Sequence, residues 1–257
     1  MGKSIYIKNM QLSLAQRIRQ SNKPFVLFHT YDASKAALEQ AISEKKSMDL
    51  DISVDDSGNP YLGHSLEFYK KSGEKQPENM PFWEAIELVS NANIPVIVDC
   101  KDKRAWNLTE EVVGKIGAHR CLVHIYASEL KFDYNLYDHD YESEWVAIEY
   151  LKKLKEKFPS VTTTTSAKYL PSDFLESEKY EEVLWRIRAV LKENNVDTLC
   201  LNVPDKTMSD KVLDFFLEKN ILPHINIDGI DTSRFTKLYV GETDILTSAS
   251  VCSELGY

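Results

Sequence analysis

Four residues that can bind a metal ion or carry a proton follow one another in the first quarter of the chain. Asp49 and Asp51 alternate in SMDLDISV, between His29 in the apolar run FVLFHT and His64 in NPYLGHS. Residues i and i+2 of a β-strand share a face, so both aspartates are expected to point the same way. Two carboxylates at one strand end repel each other unless a cation or a proton compensates them. We therefore interpret the pair as metal ligands rather than as caps of a loop.

A second doublet, Asp99 and Lys101, ends the apolar run IPVIVDCK. With the residues above, it places three carboxylates, two imidazoles and an ammonium at the ends of three successive strands. An α/β barrel assembles a metal-assisted active site in this way, because the carboxyl ends of its parallel strands meet at one face. Two roles stay open for Lys101: contact with a substrate, or neutralisation of Asp99.

Short apolar runs alternate with amphipathic helical patterns along the chain, which indicates a parallel sheet, and eight such units indicate closure. We predict a single α/β domain over residues 1–257, a (β/α)8 TIM barrel in which MQLSLAQRIRQS forms an extra N-terminal helix at the bottom. The polar segment 65–79 is the candidate for a mobile loop over the mouth, and 233–240 is the weakest predicted helix. The predicted strands are 24–30, 47–54, 94–101, 121–127, 160–166, 196–203, 221–228 and 244–250.

Composition narrows the class of partner. The chain has 257 residues and a net charge of −9, with 40 acidic against 31 basic side chains. The electrostatic field of this negative net charge disfavours nucleic acid and anionic membranes as partners. We see neither a secretory signal nor a membrane span, so we expect a cytoplasmic protein. The four cysteines lack CxxC spacing and are expected to be buried thiols in a reducing compartment.

The order of the chemical residues resembles the glycerophosphodiester phosphodiesterase superfamily, a group of phospholipase C-like phosphodiesterase barrels. The Asp-x-Lys form of the last doublet is similar to the sphingomyelinase D branch and to menorin-like relatives. GETDILTSAS near the C-terminus extends the match in outline over the chain. The pattern that carries the resemblance is a strand-ending histidine, an acidic-x-Asp pair, an excursion through DDSGNP to a second histidine, and an acidic-x-Lys pair: His29, Asp49 to Asp51, His64, and Asp99 to Lys101.

The resemblance implies a metal-dependent phosphodiesterase that acts on a glycerophosphodiester or on the head group of a (lyso)phospholipid. It implies that Asp49, Asp51 and Asp99 hold one divalent cation. Oxygen ligands of this kind suit Mg²⁺ or Ca²⁺ and do not suit zinc. The expected partner is therefore a small phosphodiester or lysophospholipid substrate.

The same resemblance gives the remaining residues their roles. His29 and His64 would divide the acid and base roles, which imidazoles with a pKa near neutrality can perform. Lys101 would contact the phosphate. Two further residues near predicted strand ends, His124 and Asn202, are candidates for substrate contact from their position alone.

The departures from the family pattern include two positions at the expected site. Typical members carry an arginine directly after the first histidine, where this chain has Thr30, and a glutamate where it has Asp49. Aspartate is shorter by one C–C bond, about 1.5 Å, and a threonine offers phosphate one neutral hydroxyl in place of a planar guanidinium. Two alternatives therefore stay open: a catalytically weakened barrel that binds a phosphorylated ligand or a protein partner, and a metal-independent phospholipase C-like lyase.

Overall fold

The computed structural model describes residues 11–20, 25–27, 33–76, 78–131, 142–168, 180–202, 222–226 and 239–241. Its helices are α1 (Leu14–Gln20), α2 (Lys35–Ser43), α3 (Leu66–Ser72), α4 (Phe82–Ser90), α5 (Trp106–Ile116), α6 (Glu142–Lys157) and α7 (Tyr180–Glu193). Its strands are β1 (Phe25–Leu27), β2 (Met48–Val54), β3 (Pro60–Leu62), β4 (Val96–Cys100), β5 (Cys121–Lys131), β6 (Thr162–Lys168), β7 (Thr198–Asn202), β8 (Leu222–Asn226) and β9 (Tyr239–Gly241). None of the helices in these ranges is long and apolar enough to cross a membrane.

The nine strands within the described ranges form one sheet in the order β1-β9-β8-β7-β6-β5-β4-β2-β3. Every pairing in it is parallel except that of β2 with β3. The α/β class and the succession of parallel strands confirm the prediction from sequence. Within the described residues the sheet is open between β1 and the β2–β3 hairpin.

The helix predicted over 233–240 was wrong at its C-terminal end. The structure has β9 at Tyr239–Gly241, paired with both β1 and β8, where the sequence pattern indicated the end of a helix over 233–240. Tyrosine and valine both favour strands, and pairing with two neighbours outweighs a weak helical periodicity. The predicted strand 244–250 lies outside the described residues.

The two faces of the sheet bury different sets of residues. Val96, Val98 and Cys100 of β4 belong to the main hydrophobic cluster with residues of α4 and α5. Side chains alternate along a strand, so Ile97 and Asp99 face the other side. Strands covered on both faces read as continuous apolar runs, which is the pattern of VIVDC.

The first helix packs at the amino end of β6, in agreement with the prediction of an extra N-terminal helix. The backbone N–H of Ala15 donates to Thr162 Oγ1 at the start of β6, at 2.8 Å. Leu14 and Ile18 on the same helix are fully buried. Asp51 and Asp99, in register on neighbouring strands, lie towards the other end of the sheet, near the carboxyl end of β4.

The β2–β3 hairpin fixes the chain between Asp51 and His64. Ile52 pairs with Leu62, and the backbone N–H of Gly63 donates to the carbonyl of Asp51 at 2.8 Å. Gly63 has φ +129°, and a Cβ there would lie 2.9 Å from the hydroxyl of Tyr69. Glycine is required at this position both by its backbone conformation and by this close approach.

Segment 65–79 is not a loop throughout, because α3 occupies residues 66–72. Ser65 caps this helix by accepting from the N–H of Phe68, and Gly73 ends it in the left-handed conformation at φ +74°. Both residues are strong helix-boundary signals. The prediction of a loop was wrong for the seven residues of α3. About two helical turns of mostly polar and aromatic residues are too short to show an apolar periodicity in the sequence.

Candidate functional site

Three carboxylates converge on β2 and β4, near the carboxyl end of β4. Asp51 is in register with Asp99 on the neighbouring strand, and Asp49 precedes Asp51 by two residues on the same face. One carboxylate oxygen from each lies within 4.8 Å of the others. Asp49 and Asp99 are only 6% and 5% exposed. The spacing predicted from the Asp-x-Asp pattern therefore becomes a compact, mostly buried acidic group.

Lys101 compensates part of this charge. Its Nζ lies 2.7 Å from Asp99 Oδ2 and 3.3 Å from Asp51 Oδ1. Burial lowers the pKa of Lys101, but the carboxylates of Asp99, Asp51 and Asp49 raise it well above the ordinary value, so the ammonium stays charged. One ammonium against three carboxylates leaves a formal charge of −2 when the histidines are neutral.

His124 makes a further contact with the acidic group. It is in register with Asp99 on β5, its Nδ1 lies 3.2 Å from Asp99 Oδ2, and it is 5% exposed. Burial raises the pKa of Asp99, but the neighbouring His124 and Lys101 together lower it by more, so the net shift of this pKa is downward. Since partners in register share a face, a polar row continues across five strands: Asp51, Asp99, His124, Thr164 and Thr198.

The donor set fits a hard divalent cation. All three candidate ligands are carboxylates, which Mg²⁺ and Ca²⁺ prefer. Asp99 Oδ1 is buried and receives no hydrogen bond from the part of the chain that the structure describes. A buried carboxylate oxygen is normally satisfied, so an acceptor of this kind points to a bound cation or water. A charge of +2 would also neutralise the site.

His64 lies beside the acidic group at the end of the hairpin. Its Nε2 is 3.4 Å from Asp51 Oδ2, and its side chain is 25% exposed. The ring stacks on Phe68 of α3, with centroids 4.2 Å apart and planes 24° apart. An imidazole held between a carboxylate and an aromatic ring has a defined orientation and still reaches solvent.

Residues from the hairpin and from segment 65–79 enclose a cavity above the aspartates. Its volume is about 210 Å³, which is room for roughly seven water molecules at about 30 Å³ each. Asn79 ties its walls together, because its amide donates to the carbonyl of Leu62 and accepts from the N–H of Ala33. The cavity is lined by Ala33, Asp49, Asp51, Leu62, Gly63, His64, Tyr69, Glu74, Lys75 and Asn79.

Sequence reasoning did not identify several residues of this cavity. Tyr69, Glu74, Lys75 and Asn79 carry no spacing pattern that would mark them in a single sequence. Their place depends on how α3 folds back over the hairpin. A short capped helix directly after a candidate histidine was the available signal.

Three of the predicted site residues lie wholly or partly outside the described residues. His29 and Thr30 lie outside the described residues. Asn202 is the last residue of β7, in register with Asn226 of β8, and its side chain lies outside the described part. The structure therefore brings together Asp49, Asp51, Asp99, Lys101, His64 and His124.

Cys100 is not suited to act as a nucleophile, although it separates Asp99 from Lys101. Its thiol is buried against Thr109, with Sγ and Oγ1 2.8 Å apart. Burial raises the pKa of Cys100 to about 12, so the reactive thiolate is scarce at neutral pH. Cys100 and Cys121 are both buried free thiols, as predicted for these two positions.

A divalent ion at the three aspartates is expected to stabilise the folded chain. At a Mg²⁺ or Ca²⁺ concentration of about 100 times Kd, ligand binding adds roughly 2.7 kcal/mol, which raises Tm by roughly 5–10 °C for a chain of this size. Differential scanning fluorimetry with each ion and with EDTA measures this. Asp99→Asn should abolish the increment, whereas the control Asp102→Asn, whose carboxylate pairs with Arg104, should keep it. Equal melting curves with ion and EDTA would remove the metal site.

Comparison with known proteins shows which solved structures share this fold. No family model matches the sequence, and no curated protein matches it. The structure resembles a glycerophosphodiester phosphodiesterase from Parabacteroides distasonis, with a TM-score of 0.52 and 13% identity over 87% of this chain and 94% of that one. A proposed glycerophosphodiester phosphodiesterase from Galdieria sulphuraria gives a TM-score of 0.52 and 13% identity over 87% and 95%.

A solved structure from another class is similarly close. A 2,3-dimethylmalate lyase of the PEP mutase/isocitrate lyase superfamily matches with a TM-score of 0.53 and 13% identity, over 89% of this chain and 77% of that one. At such identities the likeness establishes the fold and not the reaction, because one barrel fold hosts many chemistries. Function therefore has to be argued from the site itself.

Proposed function

We propose that this chain is a divalent-cation-dependent phosphodiesterase that acts on a glycerophosphodiester or on the head group of a (lyso)phospholipid. The observation that carries the proposal is the convergence of Asp49, Asp51 and Asp99 with Lys101 and His64 beside one cavity. This set contains cation ligands, a fixed positive charge and a proton carrier, which phosphodiester cleavage needs. The fold shared with glycerophosphodiester phosphodiesterases is compatible with it.

The three aspartates would hold the cation, which when bound withdraws charge from the phosphodiester oxygens. Lys101 is held by two of these carboxylates and keeps its charge next to them. In this role it offers an ammonium to a phosphoryl oxygen and keeps the carboxylates ionised for the cation. His124 fixes Asp99 from the far side, at 3.2 Å.

His64 is proposed to carry the proton for the leaving alkoxide, and His29 to take the proton from the attacking hydroxyl or water. Asp51 lies 3.4 Å from His64 Nε2 and orients the ring. His29 stands two residues after β1 and four before Ala33, which lines the cavity. Four residues span at most about 14 Å of extended chain, so its place in the chain is compatible with a role beside His64.

The cavity size favours a small substrate portion. A space of about 210 Å³ is below the range of roughly 300–1,000 Å³ for sites that enclose a drug-sized ligand. A phosphate with a small polar head group suits it, and an acyl chain would extend outside. Glu74 and Lys75 at the rim are exposed and of opposite charge.

One observation favours a second candidate, a metal-independent lyase of the phospholipase C type. Lys101 already lies between Asp51 and Asp99, at 3.3 and 2.7 Å. A lysine in this position can compensate part of the carboxylate charge without an ion. In that case the histidines, with an aspartate and the lysine, would perform the acid and base steps alone.

Chelation separates the two candidates. The purified chain is assayed on glycerophosphocholine and on a lysophospholipid, with Mg²⁺, with Ca²⁺ and with EDTA. We expect EDTA to abolish turnover and either ion to restore it. Asp51→Asn should lose turnover, whereas Asp102→Asn should keep it. Turnover that survives EDTA identifies the lyase. A folded chain that turns over neither substrate under any condition contradicts both and favours a ligand-binding barrel.

A further inference from the structure

Tyr69 holds an unusual position at the wall of the cavity. It lies in the middle of α3, and its side chain lines the cavity together with Asp49, Asp51 and His64. Its ring packs edge to face on Phe68, with centroids 5.6 Å apart, and on His64, with centroids 6.3 Å apart. These contacts fix the phenol tip against Gly63.

The hydrogen bonds of Tyr69 leave its proton available. The backbone N–H of His64 donates to the Tyr69 hydroxyl oxygen at 3.2 Å. The phenol has a single O–H, and this bond uses an acceptor site rather than that donor. Within the described residues the structure records no acceptor for the Tyr69 proton. A hydroxyl on the wall of a polar cavity would then donate to whatever occupies the cavity.

Tyr69 is also protonated under ordinary conditions. Burial raises its pKa, the hydrogen bond from the N–H of His64 lowers it, and the charge of Asp51 raises it, with a net upward shift. The phenol is therefore a neutral donor at neutral pH. A neutral donor can lie beside the carboxylates at little cost, whereas a further cationic side chain there would compete with the metal ion for them.

Tyr61 provides a natural comparison. Its hydroxyl donates to the carbonyl of His64 at 2.8 Å, so two tyrosines hold the backbone of one histidine from its two sides. Tyr61 donates its proton to the protein and is not part of the cavity lining. Of this pair only Tyr69 lines the cavity, and only Tyr61 has its O–H donated to a recorded acceptor within the described residues.

We propose that Tyr69 is a phosphate-binding residue, whose O–H donates to a phosphoryl oxygen in the cavity while its oxygen holds the N–H of His64. The proposal rests on the phosphodiesterase function above and specifies how the anion is held. It supplies a donor in a chain where Thr30 stands in place of the arginine of the family pattern. Tyr69 thereby couples anion binding to the placement of His64.

The test uses inorganic phosphate as the probe, titrated calorimetrically into the full chain in the presence of saturating Mg²⁺. Tyr69→Phe should raise the Kd for phosphate on the order of 10- to 100-fold, the usual range for the loss of one hydrogen bond to a charged acceptor. The matched control Tyr61→Phe also loses one bond to the His64 backbone, and it should leave the Kd close to that of the wild type. Each variant is measured well below its own Tm.

A second comparison separates direct contact from an effect through His64. Tyr69→Phe is repeated in a His64→Ala background, which retains the backbone N–H and lacks the imidazole. A direct contact predicts the same fold-loss of phosphate affinity in both backgrounds. If Tyr69→Phe causes no loss of affinity in the His64→Ala background, the proposed contact is overturned. A wild type that binds phosphate as tightly as Tyr69→Phe also overturns the proposal but leaves the phosphodiesterase function standing. A wild type that neither binds phosphate nor turns over a diester overturns both.

Discussion

Replacing His64 by alanine is expected to lower kcat on a glycerophosphodiester by about 10²–10⁴-fold, the usual loss when a general acid or base is removed. The imidazole lies between Asp51 at 3.4 Å and the ring of Phe68, and no other described histidine lines the cavity. KM should change less than kcat, because the proposed proton transfer is made in the transition state and not in the bound ground state. Steady-state kinetics at saturating Mg²⁺ measures both constants.

The control for this prediction is His119→Ala. His119 lies in the short 3₁₀ turn before β5, at the end of the sheet opposite the aspartates, and it should keep wild-type kinetics. A second check is the leaving group: a substrate with a good leaving group, such as a nitrophenyl ester, needs less help from an acid. If His64 is the acid, His64→Ala should lose less activity on this substrate than on the glycerophosphodiester. A folded His64→Ala with near-wild-type kcat on the natural type of diester would remove His64 from the mechanism.

Replacing Lys101 is expected to abolish detectable turnover. Its ammonium bridges Asp99 and Asp51, so its loss removes both a contact for the phosphate and the fixed charge that compensates two carboxylates. Breaking a buried ion pair costs roughly 3–5 kcal/mol of stability, and Mg²⁺ bound by the same carboxylates should offset part of that. Lys101→Met keeps most of the side-chain volume and is the better variant to assay with excess ion.

Lys103→Ala is the matched control, since it removes an ammonium two residues away. Lys103 is exposed and lies over the ring of Trp106, 5.7 Å from its centroid. It should retain wild-type kinetics and Mg²⁺ affinity. Lys101→Met should instead bind Mg²⁺ at least as tightly as the wild type, because one competing cation is gone, while turnover is lost. An active Lys101→Met would show that phosphate is not bound where we place it.

The acidic group could be predicted from sequence because it depends on local rules. Side-chain alternation fixes Asp49 and Asp51 on one face of β2, and parallel neighbours carry Asp99 to the same edge. Asp99 and Lys101 end an uninterrupted apolar run, which marks a buried parallel strand and its carboxyl end. Local patterns of this kind need no knowledge of how distant segments meet.

The rest of the site depends on contacts that a single sequence does not encode locally. The pairing of His124 with Asp99 needs the register of β5 against β4, and a shift of one residue would turn the imidazole to the other face. The place of Tyr69 needs the direction in which α3 leaves the hairpin. Tyr239 and Val240 were predicted as helix because their strand is specified by two neighbouring strands rather than by their own pattern.

The β2–β3 hairpin has a consequence for which length changes this chain can tolerate. Paired backbone from Ile52 to Leu62 and the bond from Gly63 to Asp51 set the separation of His64 from the carboxylates. An insertion of one residue between Asp55 and Asn59 would alter the register and carry His64 away from Asp51. Insertions after Gly73 fall outside this hairpin and leave both of these backbone contacts in place. We therefore expect the segment after α3 to tolerate changes in length that the hairpin turn does not.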